Sequence, residues 1–329
     1  MSENSKIEWT DHTFNPWEGC QQVGPGCDHC YTETRNARFA GGIAINWGPG
    51  APRRRTSAAN WRKPLAWNAA HPEFSAAHGR RQRVFCASLA DVFDNAVDLL
   101  WRRDLFRLIA DTPNLDWLLL TKRIGNVSTM LRHIGVERLP ENVWLGATIV
   151  NQEEANRDIP KLLSVPARVR FLSMEPLLGP VDLTRLPHGD ESDLDVLRGQ
   201  VVYTSQHFAV PPDPLGKLIS WVIVGGESGP GARPMHPGWA RSLRDQCEEA
   251  GVPFLFKQWG EWRLMSADEQ RANPASVTRG HVSSWPDGTL GRGDFGSNGG
   301  YGKPLFLMGK KAAGRLLGGR THDEFPEGR

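Results

Sequence analysis

Short apolar runs recur along the chain and alternate with amphipathic segments. The runs begin at Val84, Trp117, Val143, Val169, Trp221 and Phe254. Most of them are 26 or 33 residues apart, which is the length of one strand and one helix. Between the runs, apolar residues recur with helical spacing, as in Val127–Ile134 and Trp239–Ala250. This alternation predicts buried parallel strands that are joined by right-handed helical crossovers.

Six or seven such units predict an α/β fold, a partial or complete (βα) TIM-type barrel, with a doubly wound sheet as the second choice. We expect a weak first strand around His12–Asn15 and a helix over residues 32–40. The predicted barrel domain covers residues 1–260, with inserted surface segments at about 41–66 and 184–217. Residues 261–329 depart from the rhythm and predict a C-terminal extension packed on the barrel, with one helix near Lys310–Leu317.

Polar residues follow each predicted strand. Because the carboxyl ends of barrel strands meet on one face, where the active site lies, we expect these residues to share a site. Helix capping explains Ser228 and Asn151, but lysine and glutamate are poor caps. The candidates, in chain order, are Ser88, Asp91, Lys122, Thr148, Glu175, Gly225, Gly226, Glu227 and Lys257.

Three of the five cysteines lie within eleven residues, spaced Cys20-x6-Cys27-x2-Cys30, with Gly24, Pro25 and Gly26 between the first two. Clustered thiols on a glycine-rich loop indicate a metal site. Three thiols instead of four favour an iron–sulfur cluster with one open iron. A zinc site closed by a histidine is the alternative. Cys86 and Cys247 fall at apolar positions and are predicted to be core residues.

A [4Fe-4S] cluster on Cys20, Cys27 and Cys30 can bind S-adenosylmethionine at its open iron and support radical chemistry. We expect the cofactor to be contacted by residues on the predicted face, namely Ser88, Thr148, Glu175, Gly225, Gly226 and Glu227. The predicted catalytic residues are Glu175, Lys122 and Lys257. An electron donor is an expected partner.

Four motifs together resemble a phage-associated, radical-SAM-like family that has a three-cysteine motif. They are Cys20-x6-Cys27-x2-Cys30-Tyr31, the segments 171–180 and 224–229, and the segment 309–317. The resemblance covers about Ile7 to Pro326. It implies a barrel of the radical SAM kind.

The resemblance also implies a substrate class. Phage-associated members suit the hypermodification of DNA bases, in which an aminoacyl-thymidine is rearranged by hydrogen abstraction. The chain is therefore expected to be an isomerase or another enzyme that modifies a nucleobase, a nucleotide or DNA. The tryptophans and the Arg53–Lys63 segment are candidates to contact a flipped base and its phosphates.

Two other functions stay open. One is a zinc-containing nucleic-acid-binding module without radical chemistry, with His12 or His29 as a fourth ligand. The other is a metal-dependent phosphoryl-transfer enzyme, with magnesium held by Asp91, Asp94, Glu175 and Glu227.

Bulk composition adds little to this choice. The formal net charge is 39 − 37 = +2, so no overall field attracts the chain to nucleic acid. Thirteen tryptophans are present, and most are expected in the core. The sequence has no apolar run of membrane-spanning length and no signal-peptide pattern at its N-terminus. With an odd cysteine count, it is expected to be cytoplasmic, in the host cytoplasm if phage-encoded.

Overall fold

Strands and helices alternate along the chain in the computed structural model. It describes residues 5–203, 213–214, 218–272, 281–285, 287, 289–291 and 303–326. The chain divides into two compact units. The first comprises Met1–Thr148, Asp158–Phe171 and Glu327–Arg329, and the second comprises Ile149–Arg157 and Leu172–Pro326. The division into these two units does not test the predicted domain boundary at residue 260. That boundary stays a prediction.

The first unit holds the strands and helices up to residue 148. Its strands are β1 (His12–Thr13), β2 (Trp17–Glu18), β3 (Arg54–Arg55), β4 (Gln82–Cys86), β5 (Leu115–Thr121) and β6 (Val143–Thr148). Its helices are α1 (Tyr31–Phe39), α2 (Ala58–Trp61), α3 (Lys63–Ala69), α4 (His71–His78), α5 (Leu99–Ala110) and α6 (Val127–His133). Two further elements include the points where the units divide, α7 (Gln152–Leu163) and β7 (Val169–Met174).

The second unit holds most of the later elements. Its strands are β8 (Leu186–Pro187), β9 (Ser192–Asp195), β10 (Gln200–Tyr203), β11 (Asp213–Pro214), β12 (Trp221–Gly225), β13 (Phe254–Gln258), β14 (Trp262–Arg263), β15 (His281–Ser284), β16 (Leu290–Gly291) and β17 (Lys303–Leu307). Its helices are α8 (Pro237–Ala250), α9 (Ala267–Ala272) and α10 (Lys310–Ala313).

The apolar runs form the predicted main sheet, whose strand order is β1-β4-β5-β6-β7-β12-β13. The pairs β1–β4, β4–β5, β5–β6 and β12–β13 are parallel. All residues of β4, β6 and β12 are buried, as expected for parallel strands. The fold is therefore mixed α/β with a seven-stranded sheet. Closure of this seven-stranded sheet into a complete barrel stays a prediction.

The core is rich in tryptophan, as the sequence predicts. Trp117 on β5 meets the Phe14 ring edge to face at 5.6 Å between centroids, and its indole N–H donates to Thr112 Oγ1 at 3.0 Å. These contacts satisfy both the apolar body and the polar tip of the indole. The buried tryptophans are Trp9, Trp17, Trp67, Trp117, Trp144, Trp221, Trp239 and Trp259.

Most residues of the segment 41–66 are exposed or partly exposed, but some polar side chains in it are buried. The surface insertion stays a prediction. Arg53 is buried, and its Nε donates to Asp94 Oδ2 at 2.7 Å. Asn60 is also buried and donates to the Asn15 carbonyl at 3.0 Å. The Arg53 guanidinium therefore neutralises a buried carboxylate within its own unit, and contact of the Arg53–Lys63 segment with phosphate stays a prediction.

The later segments form small antiparallel sheets. Strands β8 to β11 occupy the predicted insertion at 184–217, of which residues 204–212 and 215–217 lie outside the described residues. The order β14-β17-β15-β16 makes another sheet after residue 261. Helix α10 ends at Ala313, earlier than predicted, because Gly314 adopts a φ of 71°. Within the described residues, the helices are too short or too polar to cross a membrane.

Candidate functional site

The cysteine loop leads from β2 into α1. A 3₁₀ turn over Pro25–Cys27 begins after the extended Gly24, and Cys30 directly precedes α1. Cys27 is buried, whereas Cys20 and Cys30 are partly exposed. All three are free thiols. The loop starts beside β4, where the Gly19 N–H donates to the Leu89 carbonyl at 3.1 Å.

Arg123 attaches this loop to the carboxyl end of β5. Its Nη1 donates to Cys20 Sγ at 3.4 Å, and its Nη2 donates to the Gln21 carbonyl at 2.8 Å. The side chain is only 6% exposed. The guanidinium therefore contacts both the first sulfur of the motif and the backbone that follows it.

Asp91 holds Arg123 in place. Its Oδ2 accepts from Arg123 Nη1 at 3.1 Å and from the Lys122 N–H at 3.0 Å. The Thr121 hydroxyl donates to Oδ1 at 2.8 Å, and the Phe93 N–H donates to the same oxygen at 2.9 Å. A buried carboxylate with this many donors is fully compensated and rigidly oriented.

The surroundings of the Cys20 sulfur raise the pKa of its thiol above the usual value, with burial as the main cause and the Asp91 and Asp94 carboxylates adding to it. The Arg123 guanidinium acts on this pKa in the opposite direction by favouring the thiolate. For Arg123 itself, burial alone would lower the pKa, but Asp91 and Cys20 raise it above its usual value. Arg123 is therefore a permanent cation next to a sulfur that is a metal-ligand candidate.

The loop fits an iron–sulfur cluster in its donor chemistry. Three thiols that make no disulfide lie on one short loop, and a cation contacts the first of them. Their side chains are not gathered: within the described ranges, no group of three His, Cys, Asp or Glu side chains is close enough to hold a metal ion. The ligand type is thus present, and cluster binding stays a prediction.

Ser88 follows β4 in the chain and contacts the start of α1. Its hydroxyl accepts from Asn15 Nδ2 at 3.0 Å. Its carbonyl accepts from the Tyr31 hydroxyl at 3.3 Å and from the Thr32 hydroxyl at 3.4 Å. Ser88 therefore anchors the first turn of α1, next to Cys30.

Thr148 and Lys122 have different surroundings at the ends of their strands. Thr148 is 4% exposed, and within the described structure its Oγ1 is buried without a hydrogen-bond partner. Such a hydroxyl can accept a hydrogen bond from a ligand or donate one to it. The Lys122 side chain is exposed, while its backbone N–H binds Asp91.

In the second unit, Glu175 and Lys257 form an ion pair. Lys257 Nζ lies 2.9 Å from Glu175 Oε1 and 2.8 Å from Oε2. The Gln258 amide donates to Glu175 Oε1 at 3.1 Å and to the Gly226 carbonyl at 2.8 Å. Among the described atoms, Gln258 Oε1 is buried without a partner. The pair joins the ends of β7 and β13.

Gly225 and Gly226 allow close approaches within this cluster. A Cβ on Gly225 would lie 3.2 Å from Glu175 Cδ, and one on Gly226 would lie 2.0 Å from the Trp259 carbonyl oxygen. A side chain at Gly226 would therefore displace the backbone after β13. Packing therefore requires glycine at 226, whereas a Cβ at 225 would need only a small shift of the Glu175 side chain. Both glycines are also candidates for cofactor contact.

Glu227 is already bound within its own unit. Arg233 donates to it from Nη2 at 2.6 Å, from Nε at 2.9 Å and from its backbone N–H at 2.7 Å. The Glu227 side chain is 6% exposed. Its carboxylate therefore orders the turn after β12, and a cofactor ammonium would have to share it with Arg233.

The structure thus describes two polar clusters, each within one unit. The first contains Cys20, Asp91 and Arg123 near Ser88, and the second contains Glu175, Lys257, Gln258 and Gly226. Sequence reasoning missed Arg123 and Gln258 as site residues. Each directly follows a residue that was selected, so the polar group after the strand was the available signal.

The same geometry weakens the phosphoryl-transfer alternative. Asp91 is bound by Arg123, and Asp94 is bound by Arg53 through a contact in which both side chains are at most 1% exposed. Carboxylates that already carry a guanidinium are poor magnesium ligands. His12, a possible zinc ligand, instead stacks on Trp67 at 4.2 Å between centroids and contacts Gln82 through Nε2.

The family described as "Protein of unknown function (DUF5131)" matches residues 4–326. No curated protein matches the sequence. Among solved structures, a double mutant of spore photoproduct lyase with bound AdoMet and dinucleoside spore photoproduct is similar at a TM-score of 0.38 and 11% identity. A cysteine-to-serine mutant of spore photoproduct lyase has a TM-score of 0.35 and 12% identity. Each alignment covers 93% of this chain and 70% of the other.

Proposed function

We propose that this chain, which belongs to the DUF5131 family of proteins of unknown function, is a radical S-adenosylmethionine enzyme. The observation that carries the proposal is the cysteine loop, in which Cys20, Cys27 and Cys30 are free and Arg123 donates to the first sulfur. These three thiols are the proposed ligands of a [4Fe-4S] cluster. The chemistry supplied by the bound cluster and S-adenosylmethionine is hydrogen abstraction at an unactivated carbon.

Arg123 and Asp91 have a positioning role in this proposal. Arg123 holds the Cys20 sulfur and the Gln21 carbonyl, and Asp91 fixes the guanidinium. Partners behind a ligand orient it and tune the metal centre. Because both side chains are buried, water does not weaken these interactions.

The cofactor-contact and catalytic assignments are proposals for each unit separately. In the first unit, the unpartnered Thr148 Oγ1 and the Ser88 hydroxyl are the proposed polar contacts to S-adenosylmethionine. In the second unit the proposed contacts are Glu175, Gly225, Gly226 and Glu227. The Glu175–Lys257 pair can hold or move a proton between Nζ and a carboxylate oxygen, which suits a catalytic role. Lys122 remains a proposed catalytic residue, and its side chain is exposed.

The proposed substrate is a modified nucleobase of phage DNA. Isomerisation of an aminoacyl-thymidine needs hydrogen abstraction at an unactivated carbon, which is the chemistry proposed for the loop. The sequence resemblance to the phage-associated family supports this substrate.

The direct test is anaerobic reconstitution of the full chain with iron and sulfide. We expect a brown protein with about four iron and four sulfide per chain, which cleaves S-adenosylmethionine to 5′-deoxyadenosine after reduction. The triple variant Cys20→Ala/Cys27→Ala/Cys30→Ala should lose both properties. Cys247→Ala is the matched control, because Cys247 is a buried cysteine in α8 outside the loop.

The alternatives predict different results. A colourless protein that retains one zinc and forms no deoxyadenosine would identify a zinc module and overturn the proposal. Magnesium-dependent phosphoryl transfer that survives the triple cysteine replacement would identify the third function. Iron content and deoxyadenosine are therefore measured on the same samples.

A further inference from the structure

Helix α1 exposes two aromatic rings and two arginines on one face. Tyr31, Arg35, Arg38 and Phe39 follow the spacing i, i+4, i+7 and i+8. At 100° per residue, this spacing places them within a sector of about 100°. All four are exposed, Tyr31 by 58% and Phe39 by 76%. Isolated apolar side chains on a surface are common, but two exposed rings with two cations between them form an ordered pattern.

The face has a defined position next to the cysteine loop. Cys30 directly precedes α1, and the Tyr31 and Thr32 hydroxyls both donate to the Ser88 carbonyl. At the other end of the helix, Arg35 Cζ lies 5.2 Å from the centroid of the Phe39 ring. This cation–π contact orders two side chains that would otherwise be mobile in water.

We propose that this face of α1 binds single-stranded nucleic acid. Rings stack on bases irrespective of sequence, and arginines between them contact the backbone phosphates. Along the helix axis, Tyr31 and Phe39 are about 12 Å apart, which leaves room for a different base on each ring. The inference names the substrate class of the proposed function and depends on that function for its catalytic purpose.

Charge favours nucleic acid over a protein partner at this face. The only acidic residue of α1 is Glu33, which the helical period places about 160° from Tyr31 and Arg35, about 140° from Arg38 and about 120° from Phe39. The exposed face is therefore cationic and aromatic, although the whole chain has a net charge of only +2. A small local patch of this kind predicts weak binding that depends on salt.

The experiment measures binding of fluorescein-labelled oligo(dT) to the full chain by anisotropy at several salt concentrations. In Arg35→Gln/Arg38→Gln we expect binding to weaken by about tenfold or more, because two charged contacts are lost. The slope of log K against log salt should become shallower by about 1.4, since each single-strand phosphate contact contributes about 0.7.

The rings are tested separately. Tyr31→Leu and Phe39→Leu keep apolar area but remove the flat surface, so each should weaken binding by about 5- to 150-fold. Tyr31→Phe keeps the ring and should bind like the wild type, which separates stacking from the hydroxyl contact with Ser88. The four side chains are exposed, so the variants should keep the circular dichroism of the wild type.

The matched control is Arg103→Gln/Arg107→Gln, which removes the same charge from two exposed arginines on α5. The inference is overturned if the wild type does not bind, if the α1 variant loses no more affinity or slope than this control, or if the leucine variants bind like the wild type. If the face docks a protein instead, oligo(dT) does not bind there, and neither the arginine nor the leucine variants of α1 lose affinity beyond this control.

Iron content and deoxyadenosine formation are measured on the same preparations. Binding through α1 without any cluster leaves the binding face established and overturns the proposed function. Cleavage of S-adenosylmethionine without oligonucleotide binding leaves the proposed function standing and overturns this inference.

Discussion

At the scale of single residues, Arg123 is the centre of the candidate site. It contacts the Cys20 sulfur, the Gln21 carbonyl and the Asp91 carboxylate, and it is almost completely buried. A buried ion pair stabilises a fold only when both partners are present, because removing one leaves an uncompensated charge. The position of the cysteine loop therefore depends on a residue 103 positions away from Cys20.

We predict that Arg123→Gln lowers the free energy of unfolding by about 3 kcal/mol, since Asp91 then lacks its buried cation. Urea unfolding measures this loss. Part of it should return in Asp91→Asn/Arg123→Gln, where no unpaired charge remains. Arg132→Gln, on the exposed side of α6, is the control and should change stability by no more than about 0.5 kcal/mol. Equal losses in Arg123→Gln and the control would contradict the prediction.

The Asp11 carboxyl makes the free energy of unfolding depend on pH in the acid range. Burial acts to raise the pKa of this carboxyl, but hydrogen bonds from Arg80 and the Arg83 N–H dominate and hold the pKa below its usual 3.8. A lowered native pKa contributes stability that is present above the unfolded pKa and is lost as the pH falls through the native pKa.

We therefore expect the free energy of unfolding to decrease as the pH is lowered below about 4. We expect Asp11→Asn to remove part of this decrease. Chemical unfolding at a series of pH values between about 2 and 6 measures it. If the free energy of unfolding decreases with falling pH by the same amount in the wild type and the variant, Asp11 makes no such contribution.

At the scale of elements, β12 and β13 approach so closely that the turn after β12 has room only for glycine. A Cβ at Gly226 would lie 2.0 Å from a backbone oxygen, which has no flexible side chain that can move away. The same approach places the Gly226 carbonyl against the Gln258 amide. The polar cluster of Glu175, Lys257 and Gln258 thus depends on this strand pair.

We predict that Gly226→Ala destabilises the protein by about 1–3 kcal/mol, because the backbone after β13 must shift. Gly125→Ala is the matched control, since its new Cβ would meet only the flexible Lys161 side chain at 3.7 Å. Thermal unfolding measures both. If the two variants melt at the same temperature, the close approach is not a constraint in solution.

At the scale of the whole molecule, the proposed cluster ligands all belong to the first unit, whereas the β14-β17-β15-β16 sheet belongs to the second. A ligand stabilises the native state by binding it, and local stability differs along a chain. Cluster loading should therefore protect peptides from residues 20–40 against amide hydrogen exchange.

The measurement compares the chain before and after anaerobic loading, with peptides from β15 and β17 as an internal control. We expect slower exchange in 20–40 and little change in the control peptides. Equal protection throughout would point to a global effect of iron, and no protection in the loop would argue against Cys20, Cys27 and Cys30 as ligands.

Part of the site was predictable because it follows from local sequence. The three cysteines are close along the chain, and the strand ends are marked by the change from apolar to polar residues after Ala87, Leu120 and Phe256. The parts that were missed combine distant positions. Gln258 was overlooked beside Lys257, and Arg53 was assigned to the surface although it is buried with Asp94.

The sequence by itself determined the alternating α/β pattern, the six strong strands and the cysteine loop, because each depends on residues within a few turns of one another. Only the tertiary structure decided three contacts. Arg123 contacts Cys20, Lys257 forms an ion pair with Glu175, and Arg233 forms an ion pair with Glu227. Periodicity shows which face of a strand is buried but not which distant side chain it meets. That partner is set by the order and register of the strands in the sheet.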